Sequence, residues 1–316
     1  MKKAFEKLNL RDYGVLLGFL ALCIAISIAT PSFLGKQNIL NLLRQSSIIG
    51  IISAGMTFVI ISGNFDISVG AVAALAGAIT MKFATGGTNL FASMLLGVAI
   101  CAVIGLINGI VVAKINVPSL IATMAMVTIV RGLLLMLTGG YPITENIPIL
   151  DYIGNGYLFN IPIPVVIFFI VVLASFIVLN KTKFGRYVYS VGGNQEASKL
   201  NGINVDSYKV KVFIINAVLA GIAGIVLTGR LGTATAIAGE GYDMDAIASV
   251  VIGGTSVAGG SGSVLKTVIG VLLMSVINNS FNLLGIDVYF QYIFKGLIIL
   301  AAVGFDSYSK KKLASR

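Results

Sequence analysis

A chain of 316 residues with 57% hydrophobic and 11% charged residues and a mean hydropathy of +0.98 is not a water-soluble enzyme. Once its apolar runs are set aside, no stretch remains that would bury a soluble core. The net charge of +10 does not mark a nucleic-acid binder, because the basic residues are scattered among connecting segments and not gathered on one soluble face.

A bilayer core about 30 Å thick takes about 20 apolar residues per helix. Runs of that order are placed at 14–30, 46–62, 67–82, 90–113, 117–138, 163–179, 212–230, 244–258, 265–284 and 289–305. The expected fold is all-α: a polytopic transmembrane helix bundle of about ten spans, forming a single domain over 1–316. Glycine is abundant, at 37 residues, and pairs such as Gly14/Gly18 and Gly105/Gly109 are expected to let helices approach closely. Residues 1–11 are basic and polar. The run after them is longer than a signal-peptide core and has no clean small-residue cleavage site, so the first span is expected to be retained.

Lys and Arg set the orientation. With the N-terminus inside, sixteen of them fall on inner segments, four (Lys36, Arg44, Lys82, Arg230) on outer ones, and Arg131 and Lys295 lie within spans. Both termini and the polar segment of about 180–211 are therefore expected to be cytoplasmic. The longest outer loop, 139–162, lacks Lys and Arg and carries three prolines. Short amphipathic pieces facing the exterior are expected there. The turn at 62–66 has no basic residue to orient it, and merging its flanking runs would change the span count. The two strongly basic termini favour an even number.

Cys23 and Cys101 sit inside apolar runs, which argues against a structural disulfide. The absence of His removes the commonest general base and metal ligand. Neither a metal set nor a nucleophile with its base is visible, so a membrane-embedded enzyme is disfavoured. No bound cofactor is expected. Asp66 and the Asp243/Asp245 pair stand at helix starts, where a carboxylate caps free N–H groups and meets the positive dipole end. That use is weighed above an ion relay. Arg131 and Lys295 either snorkel or pair with a carboxylate that the sequence does not identify. Asn64, Ser68, Asn278, Asn279 and Asn282, with Phe65 and Asp66 beside them, form a candidate path for an uncharged polyhydroxyl solute. The competing reading is that these amides join helices by hydrogen bonds. Residues 260–267, GSGSVLKT, imitate a phosphate-binding loop, but Leu265 stands where the Gly before the Lys is required and no strand precedes it. Nucleotide must be handled by another chain.

Residues 184–205 read FGRYVYSVGGNQEASKLNGINV. Glu196-Ala197-Ser198 opens a short helix-forming stretch, bounded by Gly192-Gly193 and by Gly202, whose freedom permits sharp turns. Such a helix offers a rigid knob to a partner. A plain solvated connection would not need thirty-odd residues.

The spacing from Glu196-Ala197-Ser198 to Gly202 resembles the coupling-loop signature of ABC-importer permeases, in particular their ribose-type monosaccharide branch. GNFDISVG (63–70), GYDMDAIASVVIGGTSVAGGSGS (241–263) and NNSFNLLGI (278–286) share that resemblance, in preserved order through nearly the whole chain. The sequence departs from the pattern after Gly202, where the customary Ile-x-Leu-Pro is absent. The resemblance implies a multi-pass protein of the bacterial inner membrane with four partners: lipid, a second permease subunit (a homodimer), a cytoplasmic ABC ATPase and an extracytoplasmic sugar-binding protein. It implies that the ATPase is engaged by Gly193, Asn194, Glu196, Ala197, Ser198, Gly202 and Ile203. The alternative is a stand-alone secondary transporter or facilitator. An ion-driven one would be expected to carry intramembrane carboxylate or His relays.

Overall fold

The computed structural model describes residues 10–314, with side-chain surroundings for 17–301, 303 and 304. The basic terminal residues used for orientation (Lys2, Lys3, Lys7, Arg11, Lys310, Lys311, Lys312, Arg316) lie outside the residues so described. In chain order the helices are α1 (Leu10–Ala29), α2 (Lys36–Ile61), α3 (Val69–Thr85), α4 (Leu90–Ala113), α5 (Ser119–Thr138), α6 (Pro148–Asn155) and α7 (Ile163–Lys181). They continue as α8 (Lys183–Gly193), α9 (Gln195–Leu200), α10 (Val205–Leu231), α11 (Tyr242–Ile252), α12 (Val264–Leu283) and α13 (Val288–Ala314). Among the described residues, strands are confined to two antiparallel pairs, each strand two residues long. β1 (Ile143–Thr144) pairs with β4 (Thr233–Ala234), and β2 (Tyr157–Leu158) with β3 (Ile161–Pro162).

Among the described residues, six helices are long and apolar enough to cross a membrane: α2, α4, α5, α7, α10 and α12. Shorter apolar stretches lie in α1, α3 and α13. A polytopic helical bundle is thus the architecture. The expected span at 244–258 takes a different form. Its helix, α11, has 11 residues, about 16 Å at 1.5 Å per residue, roughly half a bilayer core. Gly253 and Gly254 end it, the latter at φ +87°. The rest of that segment is an irregular loop running to Ser263, where α12 begins.

The bundle is organised around α2 and α10, on which α3, α4 and α7 pack. From Ser46 onward every residue of α2 is buried. The Ser and Thr hydroxyls of this stretch bond within the helix, as suits a lipid environment. Ser46, Ser47, Ser53 and Thr57 each donate to the carbonyl four residues back, at 2.7, 2.7, 2.8 and 2.7 Å. Small residues bring α3, α4 and α10 together. A Cβ on Gly105 would strike Phe213 and Ala217, and one on Gly109 would strike Val210, so this pair forms the expected close seam. Gly18 does not. Nothing lies within 4 Å of where its Cβ would be, and Gly14 is outside the residues whose side chains are described. The long loop 139–162 carries α6, whose Gly154 packs on the backbone of Gly229 and Arg230 at the end of α10.

Candidate functional site: a capped peg and two polar clusters

The segment between α7 and α10 forms two short helices. Thr182 caps α8 by accepting from the Gly185 amide at 3.2 Å. Asn194 caps α9: its Oδ1 accepts from the Ala197 amide at 2.9 Å. Ser198, only 1% exposed, donates from Oγ to the Asn194 carbonyl at 2.8 Å and meets the Ser190 hydroxyl at 2.9 Å. The far end closes as a reciprocal turn, with Gly202 N–H on Lys199 O and Ile203 N–H on Ser198 O, at 2.9 and 3.0 Å. Gly202 sits at φ +76°, a conformation that favours glycine. Lys209 donates to Gln195 Oε1 at 2.9 Å, tying α9 back to α10. Gly193, Asn194, Glu196, Ala197 and Gly202 are exposed, and Ile203 is half-buried. Leu200 is 89% exposed on this otherwise polar peg; the motif reading passed over it.

Gly192 and Gly193 were expected to turn the chain before the peg. They instead form the last turn of α8, and the break falls at Asn194, which is extended (φ −159°). Their glycine identity serves close approach. A Cβ on Gly192 would strike the Ile61 carbonyl and the Gly260 amide, which are hydrogen-bonded to each other at 2.8 Å. One on Gly259 would meet Gly192 and Gly63, and one on Gly260 would meet Gly193. Three of the sequence motifs, at 63–70, 184–205 and 241–263, therefore meet backbone to backbone directly behind the peg. Tyr189 adds a side-chain tie by donating to Gly262 O at 2.9 Å, and burial pushes its phenol up. The glycines of the phosphate-loop imitation are committed to this packing.

The residues proposed for a path fall into separate clusters, each bridging elements. Asn64 donates to Ser62 O and Oγ at 3.1 and 3.0 Å, while the half-buried Phe65 donates its amide to Ser119 Oγ at 3.1 Å. Asp66 accepts from the Ser68 amide and hydroxyl at 2.9 and 2.5 Å, and from Asn216 Nδ2 at 2.9 Å. Asn108 donates to Ser68 Oγ at 3.1 Å. Asp66 thus holds a free amide at the start of α3, as a capping carboxylate does, and joins α3 to α4 and α10. Asn108 and Asn216 were not singled out from the sequence. They sit mid-run among apolar residues, and that isolation was the available signal.

Asn278 donates to Asp245 Oδ2 at 3.4 Å, and Lys295 contacts Asp245 Oδ1 at 3.0 Å. Asn279 and Asn38 exchange hydrogen bonds at 2.8 and 3.0 Å, and Asn282 accepts from Gln291 at 3.2 Å. Asp245, expected to cap, instead pairs with Lys295. The reason is depth: at 4% exposure, a carboxylate in the bilayer gains more from a cation than from amides already satisfied by helix geometry. Asp243 stands in the first turn of α11. Arg131 takes neither of the two options foreseen for it. Its Nη1 donates to the carbonyls of Ala236 and, at 3.1 Å, Ala238.

Beside this second cluster lies a partly open cavity of about 630 Å³, lined by α3, α5, the loop before α11 and α13. Gly70 and Gly239 touch backbone to backbone along it. Among the described residues, no group of three or more His, Cys, Asp or Glu is placed to hold a metal.

Residues 38–303 match a family model described as branched-chain amino acid transport system / permease component. The chain is 44% identical to the ribose import permease protein RbsC of Haemophilus influenzae over 303 residues, which is 93% of this chain and 94% of the relative. It is 43% identical to the protein of that name from Bacillus subtilis, covering 94% and 93% of the two chains. With the L-arabinose transport system permease protein AraH of Escherichia coli it shares 35% identity, covering 95% and 92%. No solved structure matches it. A family match over most of the chain, joined to end-to-end relatives that are permeases, agrees with the motifs, and the chain belongs to this family of ABC-importer permeases.

Proposed function

We propose that this chain is the membrane-spanning subunit of an ATP-driven importer for ribose or a similar small sugar, working by alternating access as a homodimer in the bacterial inner membrane. Ten segments enter the bilayer, α11 as a half-length one, and both termini and the peg face the cytoplasm. The near-full-length kinship with ribose and arabinose permeases supports the substrate class. The observation that carries the mechanism is the doubly capped, exposed α9 joined directly to the last turn of α8, whose Gly192 packs without intervening side chains against Ile61 and Gly260. A separate cytoplasmic ATPase grips Gly193, Asn194, Glu196, Ala197, Gly202 and Ile203, with the buried Ser198 bracing the helix from within instead of touching the partner, and its closure moves the peg. Because the peg's glycines touch the end of α2 and the loop before α12, that movement reaches both as a rigid-body displacement between two packed states. An extracytoplasmic binding protein delivers sugar to the opposite face, beside the cluster containing Asn278, Asn279 and Asn282, and the cluster containing Asn64, Phe65, Asp66 and Ser68 flanks the route nearer the peg. The chain itself performs no covalent chemistry.

Reconstitution tests this reading. Uptake of ribose into proteoliposomes should require the permease, an ATPase, a loaded binding protein and ATP. Gly202→Pro removes the amide that bonds Lys199 and forbids the positive φ; it should abolish uptake and ATPase stimulation while the protein still inserts. Survival of both activities would refute the peg assignment. Robust uptake by the permease alone would establish a facilitator instead.

A further inference from the structure

The 630 Å³ cavity falls within the roughly 300–1,000 Å³ of small-molecule sites, and its wall chemistry is unusual for a lipid-embedded protein. Arg131, Glu240 and Asp243 all line it. Arg131 lies within a membrane-spanning helix, and a charged side chain there faces water or a polar ligand. A guanidinium on the wall disfavours a cation, and two carboxylates disfavour an anion. What remains is a molecule of no net charge able both to donate to carboxylates and to accept from a guanidinium, and the kinship with ribose and arabinose permeases selects a sugar over a zwitterion. Adjacent hydroxyls on a sugar ring do both. Met124 and Tyr292 supply apolar surface for the C–H face of such a ring, and Thr128 a neutral hydroxyl.

We infer that this cavity is a binding site for a single monosaccharide, held by the carboxylates of Glu240 and Asp243 and the guanidinium of Arg131. The inference rests on the importer reading above, and it places recognition of the sugar within the permease as well as in its delivery protein. The site is separate from the amide clusters. Arg131 is positioned by two backbone carbonyls of the loop that bears Glu240, so the cation and one carboxylate are fixed relative to each other before sugar arrives. Contact between Gly70 and Gly239 holds that loop against α3.

The test uses the complete transporter in proteoliposomes, with Cys23→Ser and a reporter Thr128→Cys; Cys101 is buried and stays. A charged thiol reagent added from outside should label the reporter. Ribose at about twice its dissociation constant should slow labelling about threefold, and Glu240→Gln should remove that protection. Met124→Cys, on the same wall, is read identically if the first reporter fails to insert. In uptake assays with saturating loaded binding protein, Glu240→Gln and Asp243→Asn should each lower sugar uptake about tenfold, the weight of one charge-assisted hydrogen bond. ATPase stimulation should stay within about twofold. Labelling indifferent to ribose, xylose and arabinose in a complex that transports one of them would overturn the site and leave the importer reading intact. Uptake unchanged by both carboxylate substitutions would overturn it too. A complete complex that imports none of these sugars would sink the importer reading, and the site with it.

Discussion

The junction behind the peg and the wall of the cavity are built on opposite principles. At the junction, Gly63, Gly192, Gly259 and Gly260 bring three backbones into contact with no side chain between them. At the wall, Arg131, Glu240 and Asp243 border an open cavity, with the Asp245–Lys295 pair beside it. Transmitting a displacement requires stiffness. Peptide planes in van der Waals contact have no rotamers through which to dissipate it, whereas long side chains do. Passage of a hydrated solute, as proposed above, calls for the reverse: an open wall of polar groups that water or solute can reach. The chain spends glycine where it must be rigid and charge where it must be wet.

The charge cluster should show the largest effect on stability. Asp245→Ala leaves Lys295 uncompensated beside α11, and breaking a buried pair in this way costs about 3–5 kcal/mol. Thermal unfolding in detergent should show a lowered midpoint. Asp245→Leu combined with Lys295→Met should recover most of it, because an apolar pair of similar volume avoids the desolvation penalty. An unshifted midpoint for the single variant would mean the pair is too hydrated to matter.

The junction should respond next. Gly192→Ala inserts a methyl against the Ile61 carbonyl and Gly260 amide, which are backbone atoms with little room to move. Overpacking of this kind costs about 1–3 kcal/mol. ATP-driven uptake should fall about tenfold or more, with ATP hydrolysis by the complex less affected, a split measured by assaying both in one proteoliposome preparation. The same substitution at Gly132, where nothing lies within 4 Å, should be silent. Equal effects at the two positions would dismiss the junction as a special contact.

Smaller again is Gly202→Ala, which keeps the peg but places a Cβ at positive φ, costing about 1 kcal/mol. Hydrogen exchange of α9 amides should accelerate by roughly fivefold. The smallest effect on the fold belongs to Leu200→Asp. Its side chain is 89% exposed, so stability should change by no more than about 0.5 kcal/mol. Co-purification with the ATPase subunit should nonetheless drop clearly, as expected for an apolar contact at the centre of an interface. Retained co-purification would move the grip to the polar residues around it.

Local signals carried much of this protein. The length and apolarity of the runs gave a helical membrane bundle, because in lipid every backbone group must bond within its own helix. The peg was legible too: Asn194, Ser198 and Gly202 cap and terminate α9 through partners within a few residues of themselves. What local pattern could not supply was the half-length of α11. Apolar content continues past Ile252 while Gly253 and Gly254 stop the helix, with Gly253 and Gly270 lying against the facing backbone in the hairpin of α11 and α12.

The amino-acid sequence by itself determined the class of fold, the peg and the family, since each is written in neighbouring residues or in motif order. Only the tertiary structure decided that Asp66 meets Asn216 across 150 positions, that Asp245 meets Lys295 across 50, and that glycines of three distant motifs touch. The physical reason is that a buried charge or a side-chain-free contact takes its meaning from whatever the other helices bring beside it, and helix packing fixes that partner without leaving a trace in the adjacent residues.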